Sequence, residues 1–177
     1  MILTLAKRSK ADATSKDRHS LGLIWLVTLS AIALGIVAAY RLAPHGAGQA
    51  RCALPWPKLV LGVGGGLVGL GLALRWYAII HLGRFFTTNV AIAADHHLVD
   101  TGPYRFVRHP SYTGSLLAAL GFSVSIGNWA SLLIIFVPCC AVTLWRIHIE
   151  EAALIEGLGE PHRQYRQRTK RLIPGIY

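Results

Sequence analysis

The feature that most restricts the fold of this chain is a set of apolar runs long enough to cross a bilayer. There are four of them, at residues 21–40, 59–80, 110–126 and 130–149. The first contains no charged residue, the second contains only Arg75, and the third is somewhat short. A transmembrane helix needs about 20 consecutive, mostly apolar residues. We therefore predict an all-α integral membrane protein with about four transmembrane helices. Only residues 127–129 separate the last two, which must form a tight helical hairpin.

Composition supports the membrane class and narrows the partners. Hydrophobic residues make up 53% of the 177 residues, the mean hydropathy is +0.46, and the formal net charge is +10. The basic residues flank the apolar runs and do not form one patch with interleaved aromatic residues, so the lipid bilayer is the predicted partner and nucleic acid is not. We predict one membrane-embedded domain over residues 1–177, with a tail at 1–20, two N-terminal helices within 21–80 and a cofactor-binding catalytic half at 81–177.

The positions of Lys and Arg predict how the chain is oriented. They are concentrated in the N-terminal tail, in the loop between the second and third apolar runs, and in the C-terminal segment, whereas the hairpin turn has none. Cytoplasmic loops carry an excess of Lys and Arg, so both termini and the central loop are predicted to be cytoplasmic. The run at 21–40 is longer than the core of a signal peptide, and we expect it to remain as a helix.

Small residues in the second apolar run predict close packing between helices. Gly64, Gly66 and Gly69 formally match a dinucleotide-binding fingerprint, but that motif needs a βαβ unit, which a membrane helix excludes. Gly62/Gly66 and Gly65/Gly69 are pairs of small residues with the four-residue spacing that lets two helices approach closely. We predict that a neighbouring helix packs against the second helix at these glycine pairs.

Residues 96–114, HHLVDTGPYRFVRHPSYTG, concentrate polar chemistry between two apolar runs. Proline suits the first turn of a helix, so we predict that the third helix begins at Pro110. Its N-terminus faces the cytoplasmic loop and favours anions. Tyr104 and Tyr112 flank this step, and their rings suit either a flat or cationic ligand or a place at the membrane interface. Adjacent His96 and His97 cannot easily face one ion, so no metal is predicted.

Arg146 and Glu150 lie one helical turn apart on the fourth helix and face the same side. Charges at the end of a span are costly unless they are paired or face a cavity, so both are candidates for function. The alternative is a salt bridge within the helix at the cytoplasmic boundary. Glu151 points elsewhere on the helix, and we expect it to be solvated.

Together, the stretch at 96–114, the distal Arg146 and Glu150, and the basic tail resemble the isoprenylcysteine carboxyl methyltransferases and their prokaryotic relatives. The likeness extends from about residue 82 to the C-terminus. It implies a membrane enzyme that uses S-adenosyl-L-methionine and a lipophilic acceptor from the bilayer, such as the carboxylate of a C-terminal S-isoprenylcysteine. It also implies substrate binding by Arg146 and catalytic roles for Arg146 and Glu150. The implied cofactor contacts are Asn89, His96, His97, Leu98, Val99, Tyr104, His109, Pro110, Ser111, Tyr112 and Glu150.

The types of residue in the candidate site suit a methyl-transfer reaction. The reaction mainly needs proximity and alignment, a carboxylate acceptor is ionised near neutral pH without a general base, and Arg146 can hold it through two hydrogen bonds. Two other functions stay open. One is an NAD(P)H-dependent membrane reductase of the sterol type, which is expected to have more spans. The other is a non-enzymatic membrane scaffold. A small thiol, amine or lipid headgroup also suits as acceptor.

Overall fold

Helices account for nearly all regular structure in the part of the chain that the computed structural model describes, which is residues 22–41, 54–83 and 98–177. They are α1 (Gly22–Arg41), α2 (Pro57–Leu82), α3 (Pro110–Ser125), α4 (Trp129–Leu158) and α5 (Glu160–Arg168). A short 3-10 turn, Gly102–Arg105, precedes α3. Within the described residues the β-structure is limited to one isolated bridge, between Val107 and Lys170. The all-α prediction is confirmed for these residues.

Three of the helices, α1, α2 and α4, are long and apolar enough to cross a membrane. Only 11% of the most apolar stretch of α1 and of α2 is buried within the protein, so most of their apolar side chains face outward and need lipid around them. The helix α3 begins at Pro110, as predicted, but has only 16 residues. At about 1.5 Å per residue it is roughly 24 Å long, less than the ~30 Å hydrocarbon core of a bilayer.

Glycines allow the backbones of α2 and α3 to touch. A methyl group on Gly71 would lie 2.5 Å from the backbone nitrogen of Ala118, and one on Gly121 would lie 2.5 Å from the backbone oxygen of Gly64. Gly114 abuts Gly71 in the same way. On each helix the two glycines are about two turns apart, which places them on one face. This interface positions the start of α3 against α2.

The predicted glycine pairs are wrong. Among the described residues, no atom of another element lies within 4 Å of where a side chain would begin on Gly62, Gly65, Gly66 or Gly69. Small residues do bring α2 and α3 together, but the face of α2 that contacts α3 carries Gly64 and, two turns later, Gly71. Within a helix that is glycine-rich on several faces, spacing by one turn does not identify the face that meets a neighbour.

The helix α4 is fixed at its start and continues past the apolar run. The side-chain oxygen of Asn128 accepts hydrogen bonds from the backbone nitrogens of Ala130 at 2.9 Å and Ser131 at 3.2 Å, which caps the helix. The hydroxyl of Ser131 donates to the backbone oxygen of Gly35 at 2.8 Å and attaches α1 to α4. As predicted, the helix runs on through Glu150, and it ends at Leu158.

The C-terminal segment lies along the start of α3. The backbone nitrogen of Arg108 donates to the oxygen of Lys170 at 2.8 Å, and that of His109 donates to the oxygen of Arg171 at 3.0 Å. The hydroxyl of Thr113 donates to the backbone oxygen of Leu172 at 2.8 Å. These bonds bring residues that follow α5 to the same end of the protein as the residues that begin α3.

Candidate active site

Four of the predicted site residues meet where α3 begins and α4 carries its charged residues. His109 precedes α3 and Tyr112 lies in its first turn, with their ring centroids 5.8 Å apart. Nδ1 of His109 lies 3.8 Å from Oε2 of Glu150. The phenol of Tyr112 interacts with both Arg146 and Glu150. Residues about 40 positions apart in the chain therefore lie close together, and their role as one site stays a prediction.

Charged groups of this site are buried. Arg146 is 1% exposed and is the largest fully buried side chain in the part of the chain that the structure describes. The Glu150 side chain is 23% exposed, but its Oε2 is buried and accepts no hydrogen bond from the described residues. Nε2 of His109 likewise makes no hydrogen bond with the described residues, but it lies 3.6 Å from Oε1 of Glu151. An unsatisfied buried polar atom costs about 1–3 kcal/mol, so a ligand that presents a donor or a positive charge to Glu150 is stabilised there.

Glu151 is the centre of a buried ion-pair cluster, and the expectation that it is solvated is wrong. It is 2% exposed. Its Oε1 accepts a hydrogen bond from Nε of Arg108 at 2.8 Å, and its Oε2 accepts one from Nε of Arg171 at 3.0 Å. The next residue on a helix is rotated by about 100°, which turns Glu151 away from Glu150 and towards α5 and the C-terminal segment. The sequence did not reveal that these elements cover that face.

Tyr104 anchors the 3-10 turn on α2 beside the site. Its ring stacks on His81, with centroids 6.3 Å apart and planes 24° from parallel. Its hydroxyl donates to the backbone oxygen of Ala78 at 3.3 Å. Burial raises its pKa, and the negative charge of Glu150 raises it further, so the phenol stays protonated. Its contact with a cofactor stays a prediction.

The structure shows less about the other predicted cofactor contacts. Pro110 and Ser111 are buried in the first turn of α3, next to His109. Leu98 and Val99 are half-buried ahead of the 3-10 turn. Asn89, His96 and His97 lie outside the described residues.

The sequence did not identify two buried residues of α5. His162 is 2% exposed, and burial lowers its pKa to about 4, with the positive charges of Arg108 and Arg166 adding to the effect. Tyr165 donates its hydroxyl to the backbone oxygen of Tyr104 at 2.5 Å, and burial raises its pKa to about 12. An aromatic residue three positions after a histidine, within an otherwise charged helix, was the available signal for a buried face.

Comparison with known proteins shows the family. The model of the isoprenylcysteine carboxyl methyltransferase (ICMT) family matches residues 65–156. The chain belongs to this family. The matched range includes the larger part of α2, all of α3 and the part of α4 that carries Arg146 and Glu150, so the family match covers the segments that build the site.

Individual relatives agree with this assignment. A protein-S-isoprenylcysteine O-methyltransferase of Schizosaccharomyces pombe is 38% identical over 113 residues, which is 63% of this chain and 48% of the relative. The Homo sapiens protein of the same name is 33% identical over 137 residues, covering 68% of this chain and 45% of its own length. The chain thus spans about half the length of these curated relatives.

A solved structure shares the fold. It is described as the eukaryotic intramembrane Ras methyltransferase ICMT (isoprenylcysteine carboxyl methyltransferase), and it matches with a TM-score of 0.67 at 26% sequence identity. The match covers 85% of this chain and 52% of that one. The likeness therefore includes most of the described helices, beyond the range of the family model.

Proposed function

We propose that this chain is a membrane-embedded, S-adenosylmethionine-dependent methyltransferase that acts on a lipophilic acceptor. The proposed acceptor is the carboxylate of a protein C-terminal S-isoprenylcysteine. One observation carries the proposal. A buried arginine, a buried carboxylate oxygen that accepts no hydrogen bond from the described residues, and the start of α3 meet at one end of the helices, in a chain of the ICMT family. The named activity of the relatives supports this acceptor.

The residues present fit a cofactor that carries both signs of charge. S-adenosylmethionine, when bound, supplies a methyl group on a cationic sulfur. Oε2 of Glu150 can accept from a donor or lie against a cation, and the N-terminal turn of α3 favours an anionic group. We propose that these residues hold the cofactor together with the remaining predicted contacts, which are Asn89, His96, His97, Leu98, Val99, Tyr104, His109, Pro110, Ser111 and Tyr112.

Arg146 is proposed to hold the acceptor. A guanidinium can hold a carboxylate through two hydrogen bonds, and this fixes the direction of the attacking oxygen. Tyr112 interacts with the Arg146 side chain and limits the orientations it adopts. The carboxylate is ionised at neutral pH, so the site needs no residue to remove a proton.

We further propose that α3 lies within the bilayer as a fourth span, and that both termini and the site face the cytoplasm. Four crossings return the chain to the side where it began. The excess of Lys and Arg in the two terminal segments and in the central loop supports that side as cytoplasmic. A lipid tail then reaches the site from the bilayer, while a charged cofactor reaches it from water.

Calorimetry with two ligands tests the reaction class. The detergent-purified protein is titrated with S-adenosylhomocysteine, the demethylated form of the cofactor, and separately with NADPH. We expect saturable binding of S-adenosylhomocysteine and none of NADPH. Binding of NADPH alone would indicate a reductase and contradict the proposal, and binding of neither ligand would favour a scaffold.

Two variants divide the site into its proposed parts. His109→Ala should lower the affinity for S-adenosylhomocysteine at least about tenfold, because it removes a side chain packed against Tyr112 and Glu150. Arg146→Ala should retain cofactor affinity and raise the KM for the prenylated acceptor. Arg163→Ala, at an exposed arginine of α5, is the control. Unchanged cofactor affinity in the His109 variant would mean that the cofactor binds elsewhere.

A further inference from the structure

The turn formed by residues 173–177 presents apolar side chains at the protein surface. Ile173 is 49% exposed and Ile176 is 76% exposed, and Pro174 between them is exposed as well. The helix that precedes this turn, α5, is mostly charged or polar on its exposed face. An exposed apolar patch bordered by polar residues marks a place where a membrane or another molecule binds.

The backbone of the 173–177 turn pairs its own polar groups. The backbone nitrogens of Leu172 and Ile173 donate to the backbone oxygen of Tyr177, at 2.7 and 2.8 Å. Those of Ile176 and Tyr177 donate to the backbone oxygen of Ile173, both at 3.1 Å, and Pro174 has no N–H to pair. Unpaired backbone groups are excluded from lipid. Because so much of its backbone is paired, this turn is suited to contact acyl chains.

The 173–177 turn is attached at the level of the lipid headgroups. Leu172, the residue before it, is buried, and its backbone oxygen accepts a hydrogen bond from the hydroxyl of Thr113 on α3 at 2.8 Å. The next residue of α3, Gly114, abuts α2 at the position before Trp76. Trp76 and Tyr77 are both exposed, and exposed Trp and Tyr on a spanning helix mark the headgroup level. The turn therefore begins where headgroups meet acyl chains.

Positive charge beside the turn favours an anionic surface. Lys170, three residues before Ile173, is exposed. Within the described ranges its side chain takes part in no ion pair. Arg168 is exposed too, and its pair with Asp100, at 3.4 Å, joins two exposed side chains, which contributes little. The ammonium group of Lys170 is thus available to the phosphate of a lipid.

We propose that the 173–177 turn is a membrane anchor for the segment that pairs with the start of α3. Ile173 and Ile176 insert into the leaflet on the side where α3 begins, about 5–10 Å into the boundary between headgroups and acyl chains, where interfacial apolar faces lie. Lys170 binds the phosphate of an anionic lipid beside them. This role goes beyond the proposed methyltransferase function and does not depend on which reaction the protein catalyses.

Fluorescent labels test whether the turn lies in lipid. Ile176→Cys and the control Gln167→Cys, at an exposed position of α5, are made in the full chain with its three cysteines replaced by alanine. Each is labelled with nitrobenzoxadiazole and reconstituted in vesicles of phosphatidylcholine and phosphatidylglycerol. The label at position 176 should emit at shorter wavelength and be quenched by acyl-chain spin labels, and the label at position 167 should not. Equal spectra at the two positions would overturn the proposal.

A third variant separates the turn from its label. Adding Ile173→Asn to the chain labelled at position 176 should shift the emission back towards that of the label in water, because the second apolar side chain of the turn is lost. Unchanged emission would show that the dye, and not the turn, seeks lipid, and would overturn the insertion.

Lipid charge tests the part assigned to Lys170. Quenching of the label at position 176 is compared for spin-labelled phosphatidylglycerol and spin-labelled phosphatidylcholine at equal mole fraction. Lys170→Gln should lower the preference for phosphatidylglycerol by up to about fivefold, the effect of one lysine at an anionic surface. Lys58→Gln, which removes the same charge from the start of α2, is the control and should keep the preference. A preference that Lys170→Gln leaves unchanged would overturn this part.

Photo-crosslinking needs no removal of cysteines and so does not depend on the folding of the labelled variants. p-Benzoylphenylalanine placed at position 176 of the otherwise unchanged chain should form a lipid adduct on irradiation, detected by mass spectrometry, and the same residue at position 167 should not. A crosslinked dimer in place of the lipid adduct would show that the turn binds a second copy of the chain, which would overturn the proposal.

Discussion

Glu151 accepts hydrogen bonds from two arginines that come from distant parts of the chain, Arg108 before α3 and Arg171 after α5. Arg166 of α5 is a third cation, 3.8 Å away. Desolvating Glu151 and Arg108 is expensive, and the cluster is tolerable because these opposite charges pair directly while Arg166 and Arg171 stay partly exposed. At the scale of single residues, this carboxylate is what joins the start of α3 to the C-terminal segment, and it does so one position from the site residue Glu150.

Glu151→Gln should destabilise the protein strongly, because it leaves Arg108 buried without its counter-charge. The expected loss is about 3 kcal/mol, seen as a fall in the midpoint of thermal unfolding of the detergent-purified protein. Glu160→Gln, which breaks a pair whose side chains are both 62% exposed, is the control and should change little. Equal midpoints for the two variants would show that the buried cluster does not hold the fold.

His162 should make stability depend on pH. Its pKa of about 4 in the folded protein lies below the ordinary 6.5. Between those values the unfolded chain therefore binds a proton that the folded chain does not. The free energy of unfolding should fall as the pH is lowered through 6.5 and continue to fall towards pH 4. In thermal unfolding from pH 7.5 to 5, His162→Phe should show a smaller decline than wild type.

An exposed histidine of α4 supplies the comparison. His148→Gln removes one titrating group without touching the buried face of α5, and it should decline with pH as wild type does. An identical decline in all three proteins would mean that His162 does not control acid stability.

The sequence was informative about residues whose signal is local. Arg146 and Glu150 stand out because charged residues on one face of an apolar helix are conspicuous, and the start of α3 follows from Pro110. It was uninformative about Glu151 and His162, whose importance depends on which element covers them. Adjacent carboxylates on one helix look alike in sequence, and only packing makes one of them buried and paired.

At the scale of elements, α2 and α3 touch through backbone atoms at Gly64, Gly71, Gly114 and Gly121. Helices that approach this closely gain many van der Waals contacts, which drive association where lipid tails remove the hydrophobic effect. The interface matters for the site because it fixes Ser111 and the first turn of α3. Helix lengths could be predicted from the apolar runs, but the contacting face could not, since α2 offers glycines in several directions.

Two alanine substitutions on α2 should have opposite effects. Gly71→Ala should lower the thermal midpoint, because its methyl group would lie 2.5 Å from the backbone of α3 and force the helices apart. Gly69→Ala has open space around it, and alanine favours a helix over glycine by up to about 1 kcal/mol. We expect that variant to be neutral or more stable. Destabilisation by both, or by neither, would contradict the assigned interface.

At the scale of the whole molecule, the short helix α3 decides how the chain is arranged. The helices α1, α2 and α4 alone would place the two termini on opposite sides of a membrane. If α3 also crosses, the termini lie on the same side. A helix of roughly 24 Å can cross where flanking residues reach outward or the bilayer thins locally, at a modest cost.

Reporter fusions measure this arrangement. A fluorescent protein that folds only in the cytoplasm, and alkaline phosphatase, which is active only outside it, are fused in turn to each terminus. We expect fluorescence and no phosphatase activity at both termini, and phosphatase activity for a fusion at Gly127. Termini on opposite sides would show that α3 does not cross and that the orientation inferred from Lys and Arg is wrong.

The bonds between the start of α3 and the C-terminal segment set an order of assembly. Thr113 and Leu172 are 59 residues apart in the chain, and the partners of Arg108 and His109 lie slightly farther downstream of them. During synthesis, the hydrogen bonds that join the start of α3 to the C-terminal segment therefore cannot form until the chain has been made beyond α5. A nascent chain arrested before Lys170 should fail to retain S-adenosylhomocysteine, whereas one arrested after emergence of the whole segment should retain it. Assembly of the site then depends on translation running past α5.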